Sequence, residues 1–168
     1  MKKICINVLY MISIIFILAW LLLTIKYYRV DVPTGSMLNT IQCNQQLLIL
    51  KDKYVKSYNR GDIVVFLQDN GLIIKRLIGL PGETIRISNG TVFVDGKLLF
   101  EDYLSSNTDF DNTFYVPENK YLFLGDNRAE SFDARQWAEP YVSANMLRGK
   151  AAYFILPKIA KVSEVTYE

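Results

Sequence analysis

The chain has 168 residues, 51% of them apolar, a formal net charge of +2 and no histidine. That length supports one domain with a real core, and the missing histidine excludes Ser-His-Asp, Cys-His and H-E-x-x-H catalysis. A near-neutral balance without a basic block gives no reason to expect nucleic acid binding, and two cysteines are too few for a disulfide framework or a cysteine-based metal site.

Ile4 to Ile25 carries no charged side chain. About 20 such residues cross a bilayer core of about 30 Å. Lys2 and Lys3 precede this stretch and Lys26-Tyr27-Tyr28-Arg29 follows it, residue types that suit the headgroup region. A cleavable leader has a shorter apolar core, about 7–15 residues, and then a small-residue site. Thr24-Ile25-Lys26-Tyr27-Tyr28 offers no such site. Residues 1–29 therefore read as a retained single-pass anchor, and residues 30–168 as the domain it holds. Two basic residues on each side leave its orientation open. Cys5 lies in the anchor, and Cys43 beyond it is expected to be a buried or inert thiol.

Past the anchor, Val30-Asp31-Val32-Pro33 reads as extended chain, leading to a small-residue turn at Thr34-Gly35-Ser36. Short strands are expected at Leu47–Lys51 and Asp62–Leu67. Asn70-Gly71 has the residues of a type I′ hairpin turn, in which both central positions need φ > 0, and opens a strand over Leu72–Ile78. Thr84–Ser88 and Thr91–Val94 pair across Asn89-Gly90, and Asp95-Gly96 turns into Lys97–Phe100. Residues 101–113 read as loop. Phe114–Val116 and Tyr121–Leu124 look like a further hairpin around Pro117-Glu118-Asn119, delivering Gly125-Asp126-Asn127-Arg128. Gly149–Leu156 is the last strand, ended by Pro157. Short strands, frequent turns and no long amphipathic helix predict a mostly β domain.

The strand Leu72-Ile73-Ile74-Lys75-Arg76-Leu77-Ile78 carries two adjacent cations inside an apolar run. Side chains alternate along a strand, so Lys75 shares a face with Ile73 and Leu77, and Arg76 with Ile74 and Ile78. At most one of them can simply lie on the surface. A lysine in apolar surroundings loses basicity and becomes a candidate general base; on a solvated edge it is merely a surface charge. Ser36 in its turn is a plain turn or cap residue, or a nucleophile in need of a base. Ser-Lys is a known variant of triad logic.

Pro33-Thr34-Gly35-Ser36-Met37, Gly61-Asp62-Ile63-Val64-Val65-Phe66, Ile74-Lys75-Arg76-Leu77-Ile78-Gly79-Leu80-Pro81-Gly82-Glu83 and Gly125-Asp126-Asn127-Arg128 with Ser131, Asp133, Ala134 and Arg135 resemble, in order, the motifs of type I signal peptidases. Leu147-Arg148-Gly149-Lys150-Ala151 is similar to the family's closing segment. The resemblance implies a membrane-bound serine endopeptidase that removes signal peptides from exported preproteins, on a largely β catalytic domain. It implies Ser36 as nucleophile and Lys75 as general base. Thr34 takes the oxyanion-hole position beside the Ser36 N–H, Ser131 orients the lysine, and Asp133 with Arg135 forms a structural ion pair. Met37 and Arg76 match motif positions without a chemical step. No metal or cofactor is implied. The partners implied are signal peptides and the lipid bilayer, with a monomer favoured and the catalytic domain extracytoplasmic. The short chain and single anchor look like Gram-positive members.

Three positions depart from the family pattern. Asn39 replaces a common proline, leaving that turn less rigid; Ala134 replaces serine, and Ala138 replaces a frequent glycine. Arg60-Gly61-Asp62 reads as a turn rather than an adhesion signal, and Asn89-Gly90-Thr91 as a hairpin turn rather than a glycosylation acceptor. The competing readings are a membrane-tethered β domain that binds exported chains without cutting them, and a Ser/Lys self-cleaving repressor, disfavoured by the anchor.

Overall fold

The computed structural model describes residues 2–68, 71–104, 108–156 and 159–163. Helix α1 (Lys2–Lys26) passes directly into β1 (Tyr27–Asp31). Tyr27 and Tyr28 are half-buried in that strand, which pairs antiparallel with β2 (Gln46–Lys51). β3 (Ile63–Gln68) and β4 (Gly71–Gly79) pair as a hairpin. Gly71, expected at a positive-φ turn position, is instead the first residue of β4, opposite Gln68, and is not among the positive-φ glycines; Asn70 lies outside the described residues. β5 (Thr84–Ser88), β6 (Thr91–Val94) and the short β7 (Lys97–Leu98) follow. Asn89 and Gly90 have φ of 46° and 74°, the positive pair that a type I′ turn requires.

β8 (Asn112–Tyr115) and β9 (Lys120–Leu124) do not form the predicted hairpin. The turn between them exists, with the Lys120 N–H donating to the Pro117 carbonyl, but the strands diverge to different sheets. Val116 exchanges backbone hydrogen bonds with Gly82 and Glu83, which carries β8 along β5. Then come β10 (Tyr141–Ser143), β11 (Leu147–Leu156) and β12 (Ala160–Lys161). The sequence had not marked β10 or β12, and Pro157 lies outside the described residues. The described strands make an eight-stranded sheet in the order β1-β2-β11-β3-β4-β9-β10, with β12 against β11, and a four-stranded sheet in the order β7-β6-β5-β8.

Alternation along β3 explains the layering. Val64 and Phe66 enter a core shared with Ile85, Ile87, Val92 and Phe114 of the smaller sheet. Ile63 and Val65 enter a second core with Val32, Met37, Ile41 and Val162. The central strands of the large sheet are thus covered on both faces, which explains why both Lys75 (5% exposed) and Arg76 (2%) are buried. Residues opposite each other in an antiparallel pair share a face. Lys75 faces Val64 and Arg76 faces Ile63, so the two cations enter opposite cores as alternation requires. Ile78, expected beside Arg76, packs in the Leu77 core instead, because a register shift between Leu77 and Gly79 breaks the alternation.

Cys43 is not the buried thiol that was one of its two expected states. It is exposed, in a turn where Asn44 adopts φ of 62°.

β11 bends between its two neighbours at Gly149 (φ 150°), where an added Cβ would collide with the Leu50 carbonyl. Gly149→Ala is therefore expected to destabilise the domain by at least about 3 kcal/mol, since backbone must move to relieve the clash. A thermal melt of the purified variant checks this; an unchanged midpoint would contradict the packing described.

Candidate active site

Ser36 sits on a tight bend after Pro33. The Leu38 N–H donates to the Gly35 carbonyl at 3.0 Å and the Ile41 N–H to the Met37 carbonyl at 2.8 Å. Met37 and Ile41, buried at 1% and 0% exposure, pin this bend to the second core. Asn39 within it has φ of 82°, a conformation that a proline ring, locked near −65°, cannot adopt. The departure from the family pattern thus reflects a different local backbone and not only a looser one.

β4 brings Lys75 to this bend. Its Nζ lies 2.7 Å from Ser36 Oγ and 3.3 Å from the Ile74 carbonyl. Burial pushes the Lys75 ammonium down to about 8, against the opposing pull of the Asp133 and Asp126 charges. About a tenth of the amine is therefore neutral at pH 7, a fraction that grows as pH rises, and a neutral amine accepts the hydroxyl proton across the same contact.

The segment after β9 frames both partners. The Asn127 N–H donates to the Ser36 carbonyl at 3.1 Å, and Asn127 Nδ2 to the Gly35 carbonyl at 3.0 Å. Asp126 takes Arg76 Nε at 2.8 Å and Nη2 at 2.5 Å, and also the Thr40 hydroxyl. Arg76, which the sequence gave no chemical step, thereby ties β4 to both the Ser36 bend and this segment. Asp133, fully buried, accepts from Arg135 Nε and Nη2 and from the Gly125 N–H, so Asp133 and Arg135 do pair.

Ser131 is brought to the site but not into the expected contact. Its Oγ is buried and makes no hydrogen bond among the described residues, while Lys75 bonds to Ser36 and Ile74. It lies directly over Gly125, where a Cβ would meet Ser131 Oγ and the Ser36 carbonyl. Thr34 is exposed beside Ser36, and among the described residues no acceptor takes the Ser36 N–H. That donor and the Thr34 hydroxyl remain available to an incoming oxygen.

Two contributors escaped the sequence reading because they lie in the stretch read as loop. Glu101 makes a buried two-pronged pair with Arg128, at 2.5 and 3.1 Å, and Arg128 Nε donates to the Gly125 carbonyl. Tyr103 donates to Glu101 and its ring stacks on the Arg76 guanidinium, 3.9 Å from the centroid. Charge spacing holds no signal for these pairs.

A groove of about 590 Å³ runs up to Ser36 and Lys75. Residues 30–37 form one wall, residues 72–75 the other, with Glu130 and the exposed Phe132 at the rim. Among the described residues, β9 pairs with β4 only from Arg76 onward, and β1 pairs with β2 alone. Both walls therefore present unpaired strand edges to the groove.

A hydroxyl set against a buried lysine at the end of an open-edged groove is the equipment of a histidine-free acyl-transfer hydrolase. The chain belongs to the signal peptidase family, peptidase S26, whose model matches residues 5–156. It is 36% identical over 145 residues to the probable signal peptidase I-2 of Synechocystis sp., covering 79% of this chain and 66% of that protein. It is 34% identical over 132 residues to signal peptidase I S of Bacillus subtilis, covering 71% of this chain and 72% of that protein. Signal peptidase I of Enterococcus faecalis superposes with a TM-score of 0.52 at 35% identity, over 57% of this chain and 97% of that one. The chain spans about two thirds of the length of the curated relatives it matches.

Two stability measurements follow from the site. The Lys75 pKa falls from 10.5 to about 8 on folding, so the folded state binds the proton less tightly. Its burial costs stability below about pH 8, and the cost fades as pH rises towards 10.5. Lys75→Met is expected to raise stability at pH 7 by up to about 3 kcal/mol and to lose that advantage at pH 10; the same gain at both would contradict it. Glu101→Gln leaves the buried Arg128 charge without its counterion and should cost about 3 kcal/mol in a denaturant melt.

Proposed function

We propose that this chain is a membrane-held serine endopeptidase that removes N-terminal signal peptides from exported preproteins. Ser36 is the nucleophile and Lys75 the general base. One observation carries the assignment: the Lys75 amine lies 2.7 Å from the Ser36 hydroxyl at the end of the open-edged groove.

An extended substrate segment enters the groove and hydrogen-bonds to the free strand edges, the β-augmentation mode of peptide recognition. Side chains alternate along such a segment, so every second one points into the groove wall. Small residues at −1 and −3 of the cleavage site suit shallow pockets there. Neutral Lys75 takes the Ser36 proton as Oγ attacks the scissile carbonyl. The resulting oxyanion accepts from the Ser36 N–H and the Thr34 hydroxyl. Lysine then gives the proton to the leaving amine, releasing the mature chain and leaving the signal peptide as an ester on Ser36. A water deprotonated by Lys75 cleaves that ester. Ser131, directly beside the pair, steadies the lysine once substrate closes the groove, and the Asp133–Arg135 pair supports the loop beneath.

Helix α1, with residues 9–26 at a mean hydropathy of 2.2, fits a membrane anchor. The catalytic domain then stands on the extracytoplasmic face, where signal peptides emerge. Sharing the membrane with the substrate raises the effective concentration of each for the other.

Cleavage of a labelled preprotein by the detergent-solubilised chain tests the reading. Ser36→Ala and Lys75→Ala should each reduce cleavage after a small residue by at least about 10³-fold. Thr34→Val should cost about 10²-fold in kcat, with Thr34→Ser largely active. Because the neutral amine is the working form, kcat/KM should rise with pH and level off above about 8. Activity surviving Ser36→Ala or Lys75→Ala would overturn the assignment. A chain that binds preproteins without cutting any would be the tethered binding domain instead.

A further inference from the structure

The segment that frames the catalytic pair also faces the groove. Burial alternates along it after β9: Glu130 is exposed, Ser131 buried, Phe132 66% exposed and Asp133 buried. Ser131 and Asp133 turn into the domain, while Glu130 and Phe132 line the groove at its rim. Glu130 is held close to the nucleophile. Its N–H donates to the Asn127 carbonyl at 3.1 Å, and Asn127 Nδ2 donates both to Glu130 Oε2 at 3.1 Å and to the Gly35 carbonyl at 3.0 Å. One side-chain amide thus joins this carboxylate to the residue before Ser36. Among the described residues no lysine or arginine pairs with Glu130.

The remaining lining sets what can lie there. One wall contributes Asp31, the other the exposed Leu72 and Ile73. Among the described lining residues Lys75 is the only cation, and it is spent on Ser36. A substrate strand that turns small side chains at −1 and −3 into the wall turns its −2 side chain the opposite way, towards the rim. There it meets an aromatic face, apolar wall and a carboxylate together. A long apolar stem with a cationic tip satisfies all three. Arginine does so best, because its planar guanidinium stacks on a ring and donates to a carboxylate at once. An acidic side chain meets a like charge, and a short one leaves the ring uncovered.

We propose that Glu130 and Phe132 are specificity-determining residues that select a basic side chain, arginine above lysine, at −2 of the segment to be cut. The inference deepens the peptidase reading and rests on the Ser36 groove as the substrate's site.

The test measures Kd for labelled peptides carrying Ala-X-Ala, with X as Arg, Gln, Met or Glu, on the full-length Ser36→Ala chain in detergent. That variant holds a peptide without cutting it, so selectivity is read apart from catalysis. The Arg peptide should bind about tenfold tighter than the Glu peptide and about threefold tighter than the Gln or Met peptide. Adding Glu130→Gln should remove most of the difference between Arg and Glu, and Glu130→Lys should reverse it. Phe132→Ala should weaken the Arg and Met peptides more than the Glu peptide. Glu118→Gln, outside the groove, should keep every ratio. Equal affinity for Arg and Glu, or a preference untouched by Glu130→Gln, overturns the role of Glu130. A Met peptide that matches Arg overturns the cation in favour of an apolar rim, and an Arg preference intact in Phe132→Ala overturns the role of the ring. A chain that binds none of the peptides refutes the groove as a peptide site and the inference with it. The same peptides are then given to the chain with Ser36 intact. Selective binding without cleavage leaves the rim assignment standing while the peptidase reading falls; cleavage with no preference at −2 does the reverse.

Discussion

Burying two neighbouring cations in one strand is the constraint on which the domain depends. Taking a charge out of water costs several kcal/mol unless it is paired or neutralised. Lys75 and Arg76 meet that cost in opposite ways. Arg76 keeps its charge, donating two hydrogen bonds to Asp126 and one to the Gly61 carbonyl, and lies against the face of Tyr103. Among the described residues, Lys75 has no carboxylate in direct contact and bonds to a hydroxyl and a carbonyl, so it relieves the cost by giving up its proton more easily. The arginine stays charged and the lysine loses basicity for the same reason: where the nearest carboxylate stands.

The segment from Gly125 to Arg135 decides that placement. Asp126 turns towards Arg76, Asp133 towards Arg135, and Asn127 fastens the Ser36 bend. Both carboxylates remain near enough to Lys75 to moderate the loss of basicity caused by burial. One short stretch therefore sets the Ser36–Lys75 distance and the proton affinity of the amine together. β9 delivers this stretch, and β9 is held by its pairing with β4, the strand that carries Lys75.

What could be read from the sequence was mainly local. Alternating apolar residues located most strands, and Asn-Gly and Asp-Gly pairs located turns, because both signals act within a few residues. The choice of partner strand was not local. Phe114–Val116 and Tyr121–Leu124 have hairpin spacing, yet a core between two sheets draws Phe114 one way and Phe123 the other. Ser36, Lys75, Asp133 and Arg135 were legible as motif positions, whereas Glu101 and Tyr103 were not. Their partners are 27 residues away in Arg128 and, for Tyr103, in β4. The Ser131 contact expected from the family is not formed here, since motif membership specifies which residue is near and not its rotamer.

The junction at Tyr27 has a consequence for where a chain would be cut. The helix runs into β1 without a loop, and Lys51 fastens its last turn to β2. The domain therefore cannot swivel freely on its stem, and Ser36 stands at a set height above the point where the helix ends. The nine-residue path from Tyr27 to Ser36 limits that height to about 30 Å, the reach of fully extended chain. If α1 spans a bilayer, a second chain threaded through the same membrane would reach the Ser36 groove only after a comparable length of extended polypeptide had left the lipid. On the proposed function, the position of the cut would then be measured from the bilayer, and groove shape would choose among the few residues that measurement brings within reach.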